Sequence, residues 1–210
     1  MKTSTFLIVL GAALAGATGY LLYHRHAKQQ AEEYALSAAP VRKLVAELPE
    51  FSLADREGTM RSIRDWHGQS LVINYWATWC APCRREIPLL MQLQRDHAHE
   101  GFQVIGVAVD FRDAVLEYAA EMKIDYPLLI GEQEALDSIG AFGIEAVGFP
   151  FTVFTDKAGR IVAAHMGELH ADQAAVIMAA VRRVDRGEVT PLEARTQIEQ
   201  ALGREQGDRR

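Results

Sequence analysis

Val72-Ile73-Asn74-Tyr75-Trp76-Ala77-Thr78-Trp79-Cys80-Ala81-Pro82-Cys83-Arg84-Arg85-Glu86-Ile87-Pro88 is the stretch on which the fold turns. Its first part, 71–77, is apolar and rich in β-branched and aromatic residues, which predicts a strand buried on both faces. The second part changes to a helical period. Cys83, Ile87, Leu90 and Met91 fall at i, i+4, i+7 and i+8 and make one apolar stripe. A helix is therefore predicted over 81–98, with Pro82 in its first turn, where the missing N–H is not needed. Pro88 lies inside that helix and predicts a kink. Cys80 then sits where a strand hands over to a helix, beside unpaired N–H groups that carry partial positive charge. A thiolate is stabilised there, and its pKa falls below the free value of about 8.5. Cys83 belongs to the stripe and faces the core. An exposed, acidic thiol beside a sheltered one suits disulfide exchange: Cys80 attacks, and Cys83 resolves the mixed disulfide.

The composition narrows the alternatives. There are only two cysteines in 210 residues, too few for a disulfide scaffold and two short of a tetrahedral zinc site. His97, His99, His165 and His170 show no ligand spacing with them, and no metal or cofactor is expected. Two thiolates also make a soft pair for Cu(I), which leaves a non-enzymatic copper-handling or docking module as an alternative. Met60, Met91, Met122, Met166 and Met178 are scattered, however, and form no methionine motif. The formal net charge is −6, and residues 1–28 hold three basic and no acidic side chains, so the rest is more acidic still. Such a field repels phosphate backbones and argues against nucleic acid as a partner. The length suits one good core with appendages.

Outward from the centre, short strands are predicted at 51–54 and 60–63, separated by the turn signal Asp55–Arg56–Glu57–Gly58. Further strands are expected at 102–109 and 127–130, with helices at 113–122 and 132–142. A hairpin of 151–155 and 160–166 turns at Asp156-Lys157-Ala158-Gly159, as a type I turn with a following bulge. A helix over 171–186 follows. In the extension 187–210, Thr190, Pro191 and Glu193 form a capping box that opens one more helix. Strands alternating with helices predict a parallel-centred sheet covered on both faces.

From Phe6 to Tyr23 no residue is charged. As a helix that run spans roughly 27 Å, close to a bilayer core of about 30 Å. It also reads as a signal peptide cleaved near Ala15–Gly16–Ala17. The apolar run continues through Tyr20-Leu21-Leu22-Tyr23, which suits an uncleaved anchor better. Counting Lys and Arg favours a cytoplasmic domain, but the amino terminus and His24 and His26 leave the charge rule indecisive.

The segment 72–88 resembles the active-site segment of the TlpA-like thioredoxins (ResA and CcmG type). The similarity runs from about Leu48 to Leu169 and takes in Gly58, Gly148-Phe149-Pro150 and the helix–strand stretch 112–130. The resemblance implies an α/β, thioredoxin-like fold with an N-terminal β-hairpin and a central αβ insert, preceded by one transmembrane helix. The chain then divides into an anchor (1–26), a linker (27–46), a thioredoxin-like domain (47–186) and a C-terminal helical extension (187–210).

By the same resemblance the chain is a membrane-anchored reductase of protein disulfides. It works in the periplasm or an equivalent space, as in cytochrome c maturation, and is recharged by a membrane electron donor of the CcdA or DsbD type. The resemblance also implies a cis Pro150 beside the dithiol, with the backbone of Phe149 pairing an extended substrate. Phe151 follows, where relatives commonly carry small polar residues. Glu86, three residues after Cys83 on a neighbouring helical face, would manage the proton of the buried thiol. Asn74 stands where ordinary thioredoxins have an Asp and cannot act as a base; the bland alternative for Glu86 is a solvated surface charge. Trp79 is expected as a substrate-facing platform and Trp76 as core. A thiol oxidant with the same motif stays open, because direction follows redox potential. A peroxiredoxin shares much of the fold, but its cysteine does not come in a Trp-Cys-x-x-Cys setting.

Overall fold

The computed structural model describes residues 45–143 and 148–208. The expected anchor at 6–23 and the linker up to residue 44 lie outside the described residues. Among the described residues no helix is long and apolar enough to cross a membrane.

The strands are β1 (Ser52–Ala54), β2 (Met60–Ser62), β3 (Ser70–Trp76), β4 (Phe102–Val109), β5 (Leu128–Gly131), β6 (Phe151–Thr155) and β7 (Ile161–Met166). The helices are α1 (Ala81–His97), α2 (Arg112–Met122), α3 (Gln133–Gly140), α4 (Ala171–Asp185) and α5 (Pro191–Asp208). They build a seven-stranded sheet in the order β2-β1-β5-β4-β3-β6-β7. The centre is parallel, β3 with β4 and β4 with β5, whereas β6 runs antiparallel to β3 and to β7. The insert of α2 and β5 places β5 between β4 and the N-terminal hairpin, whose Ala54 pairs with Ile130. This thioredoxin-like α/β arrangement is the one expected.

Every residue of β3 is buried, so its two faces meet different layers. Val72, Asn74 and Trp76 alternate with Leu71, Ile73 and Tyr75. On the first side lie Cys83, Ile87 and Leu90 of α1, Val115 and Tyr118 of α2, and Ile177 and Val181 of α4. On the second lie Ala135 and Ile139 of α3, with Ile63 and Phe142. Gly106 of β4 stands opposite Asn74 in the parallel register. A Cβ there would come within 2.6 Å of Leu128 Cδ2 and 2.9 Å of Tyr126 Cε2, so any larger residue would push these buried side chains aside.

The local signals are seated as chemistry requires. Asp156 accepts from the N–H groups of Ala158 (3.1 Å) and Arg160 (2.7 Å), and Gly159 takes φ +79° to close the bulged turn. The N–H of Thr190 donates to Glu193 (2.8 Å), and the Glu193 N–H donates back to Thr190 Oγ1 (3.3 Å). Beyond that cap, Ala194 and Ile198 of α5 are buried in the same core as α1 and α4. The helix α1 continues through Pro88 to His97. Ile63 opens a 3₁₀ turn (Ile63–Trp66) rather than extending β2, with the Ser62 hydroxyl capping it from Arg64 N–H. At the start of the described residues, the Val45 N–H donates to Phe142 O.

Candidate active site

Strand β3 ends at Trp76, and after Ala77-Thr78-Trp79 the chain enters α1 with Cys80 as its N-cap (φ −83°, ψ 104°). The Cys80 Sγ accepts the Cys83 N–H at 3.3 Å, which is how a side chain at this position satisfies a free helix-start donor. Cys80 and Cys83 are joined in a disulfide with an S–S distance of 2.00 Å. The expected contrast in exposure is small in this oxidised form. Cys80 is 5% exposed and Cys83 0%.

Around the disulfide, Trp79 is 69% exposed and meets the Phe149 ring edge-on at 6.0 Å. Trp76 is fully buried against Tyr118. The Phe149–Pro150 peptide bond is cis, and Pro150 O accepts from Gly167 N–H at 2.8 Å. Phe151 does not reach the substrate side. It is fully buried and stacks on Tyr75 at 4.5 Å, because its pairing register with Tyr75 puts both on the far face of the sheet. Arg84 lies 5.0 Å over the Tyr118 ring.

Glu86 is 2% exposed, so the reading of it as a solvated surface charge fails. Its Oε1 accepts from Asn74 Nδ2 and its Oε2 from Leu169 N–H, both at 2.6 Å. Burial pushes its carboxyl up to about 7, against the opposing pull of the Leu169 and Asn74 donors; the nearby Glu168 charge adds to the rise. Asn74 also donates to Thr152 Oγ1 at 3.0 Å. The preceding residue of the helix, Arg85, binds Glu168 at 2.5 Å. Consecutive residues of α1 thus hold consecutive residues of the loop that carries Gly167.

Three participants escaped the sequence reading. Thr152 is a hydroxyl between two apolar residues of its strand, a weak signal. Leu169 contributes only its backbone N–H, which no side-chain pattern can announce. Asp110, at the end of β4, accepts from Thr78 N–H (3.0 Å) and Thr78 Oγ1 (2.5 Å) and pins the loop that leads to Cys80. The histidines sit apart from the sulfurs: His97 pairs with Glu100 (2.8 Å) and His165 meets Glu168 O (3.3 Å). Among the described residues no group of three or more His, Cys, Asp or Glu side chains is placed to hold a metal ion.

A Cys-x-x-Cys disulfide at the strand-to-helix junction of a thioredoxin-like sheet defines a thiol–disulfide oxidoreductase. The chain belongs to the AhpC/TSA family, whose pattern matches residues 45–164. It is 30% identical over 171 residues to the thioredoxin-like protein YneN of Bacillus subtilis, covering 77% of this chain and 88% of that one. It is 26% identical over 169 residues to the thiol-disulfide oxidoreductase ResA of Bacillus anthracis, covering 80% and 90%. Among solved structures, a thiol:disulfide interchange protein DsbE from Chlorobium tepidum superposes with a TM-score of 0.58 at 25% identity. That match covers 66% of this chain and 98% of the other.

Proposed function

We propose that the chain is a dithiol reductase of protein disulfides, held at the outer face of the cytoplasmic membrane by residues 6–23. A membrane thiol donor of the CcdA or DsbD type recharges it, and its substrates include proteins of cytochrome c maturation or similar thiol proteins. The observation that carries the reading is the seat of Cys80 at the cap of α1, with Cys83 one turn before the buried acid Glu86.

In the reduced enzyme the Cys80 thiolate attacks one sulfur of the substrate disulfide, and the other leaves as a thiol. Cys83 then loses its proton and attacks Cys80 Sγ, releasing the second substrate thiol and restoring the enzyme disulfide. Two electrons pass to the substrate, and the donor returns them. Glu86 takes the proton of Cys83: it is buried on the same helix, and a carboxyl near 7 exchanges protons at neutral pH. Trp79, Phe149 and the Pro150 backbone form the platform that receives the substrate chain.

The equilibrium redox potential, titrated against glutathione, tests the direction. A value near thioredoxin's, about −270 mV, is expected; one near DsbA's, about −120 mV, makes the protein an oxidant and defeats the reading. The proton role has its own check. Glu86→Gln slows resolution of the mixed disulfide and raises the pKa of the second thiol to ionise, and unchanged titration and turnover remove Glu86 from the mechanism.

A further inference from the structure

Five large apolar side chains stand exposed among the described residues: Met60, Trp79, Phe111, Leu136 and Leu192. One of them, Trp79, adjoins Cys80, and another, Phe111, follows the end of the neighbouring strand β4. Asp110 accounts for their placement, because its carboxylate accepts Thr78 N–H, Thr78 Oγ1 and, at 2.8 Å, the N–H of Phe111. The ends of β3 and β4 are thereby stitched together one residue before Trp79 and one residue before Phe111. Phe111 is the N-cap of α2, in extended conformation (φ −60°, ψ 130°) and with no side-chain cap bond; its ring is 67% exposed. Nothing in the capping chemistry calls for an aromatic residue there.

The sheet topology sets Phe111, Trp79 and Phe149 at the ends of three adjacent strands. Strands β4, β3 and β6 are neighbours. Phe111 follows β4 and Trp79 follows β3, while Phe149 precedes the antiparallel β6, so all three residues lie at one end of the sheet. We infer that Phe111 is a specificity-determining residue, the far wall of the substrate groove, and that it selects protein disulfides whose cysteine is flanked by a bulky apolar side chain.

This inference rests on the reductase reading above. A substrate sulfur must come within bonding distance of Cys80 Sγ, about 2.05 Å, and Cys80 is nearly enclosed. The residues on either side of that sulfur are then laid across the Phe149–Trp79 pair and toward Phe111. Rigid aromatic surfaces recognise apolar side chains there by desolvation, the way anchors of protein interfaces do. A disulfide as small as glutathione's or hydroxyethyl disulfide reaches Cys80 without spanning these three residues.

The test uses the full chain and two peptide disulfides that differ only in Leu or Ser beside the cysteine, with hydroxyethyl disulfide as the small substrate. Phe111→Ala is expected to raise KM for the Leu-flanked peptide about tenfold, with kcat unchanged. The Ser-flanked peptide and hydroxyethyl disulfide keep their wild-type constants, and Phe111→Trp restores KM. An unaltered KM for the Leu-flanked peptide overturns the inference, as does an equal loss on all three substrates. If the wild-type enzyme reduces none of the three, the reductase reading beneath it is what has failed.

Discussion

The two sides of β3 are equally dry and differently furnished. Leu71, Val72, Ile73, Asn74, Tyr75 and Trp76 are each no more than 3% exposed. On one side Tyr75 stacks on Phe151 and meets Phe142 edge-on, and its hydroxyl is paired with Ser138 at 2.8 Å. Nothing polar is left over among those groups. On the other side, beneath α1, lie Asn74, Glu86 and Thr152, and Asn74 Oδ1, Trp76 Nε1 and Tyr126 OH have no hydrogen-bond partner among the described residues. Each such group costs about 1–3 kcal/mol. Both sides of this single strand therefore pack an apolar core, and the side beneath α1 carries in addition a costly polar cluster.

The contrast is broken most completely at the dithiol. Cys80→Ser eliminates disulfide exchange in an insulin-reduction assay, whereas Cys83→Ser still attacks and accumulates a mixed disulfide visible on a non-reducing gel. Residual turnover in Cys80→Ser would move the chemistry elsewhere. On the stabilising side, Tyr75→Ala empties the aromatic stack and lowers unfolding free energy by about 3–5 kcal/mol in a denaturant titration. The redox potential of the folded protein stays put, and a shift would mean that the two sides are coupled.

A pH series sharpens the comparison. The Glu86 carboxyl titrates at about 7 when folded and at its ordinary 4.5 when unfolded, so between those values the folded state holds the extra proton. Stability therefore falls as pH rises through that window, by about 3 kcal/mol, and is indifferent to this group below it. Glu86→Gln abolishes that slope and is the more stable protein at pH 8, with parity near pH 4. Parallel stability curves for the two proteins would show that the carboxyl is not desolvated. The smallest effect lies far from either side: Thr190→Ala removes the α5 cap and costs about 1 kcal/mol.

Much of this was legible in the residues, for reasons that can be named. The strands at 102–109 and 151–155 match their predicted limits because apolar runs there are bounded by Gly101 and Pro150 on one side and by polar turn residues on the other. The position of Cys80 followed from a change of period, which needs no tertiary information. The burial of Glu86 did not follow. Helical spacing gives the angle of a side chain about its axis, but what covers it is the loop around Leu169, more than eighty residues away. The face taken by Phe151 depends on a pairing register, and a shift of one residue reverses it. Asp110 was invisible for a similar reason: its partner Thr78 lies in the loop that follows a different strand.

The edge strand β7 has one further consequence. The N–H of Ile161 donates to Ala46 O at 2.8 Å, and its carbonyl accepts from Arg195 at 2.9 Å. Glu47 bridges Arg160 just beside it. An open strand margin recruits strands from other molecules; here its first residues are already engaged by the chain's own neighbours. Loosening either contact, for example by Arg195→Ala, exposes a template for self-association, and light scattering on heating is where that loss of protection first registers.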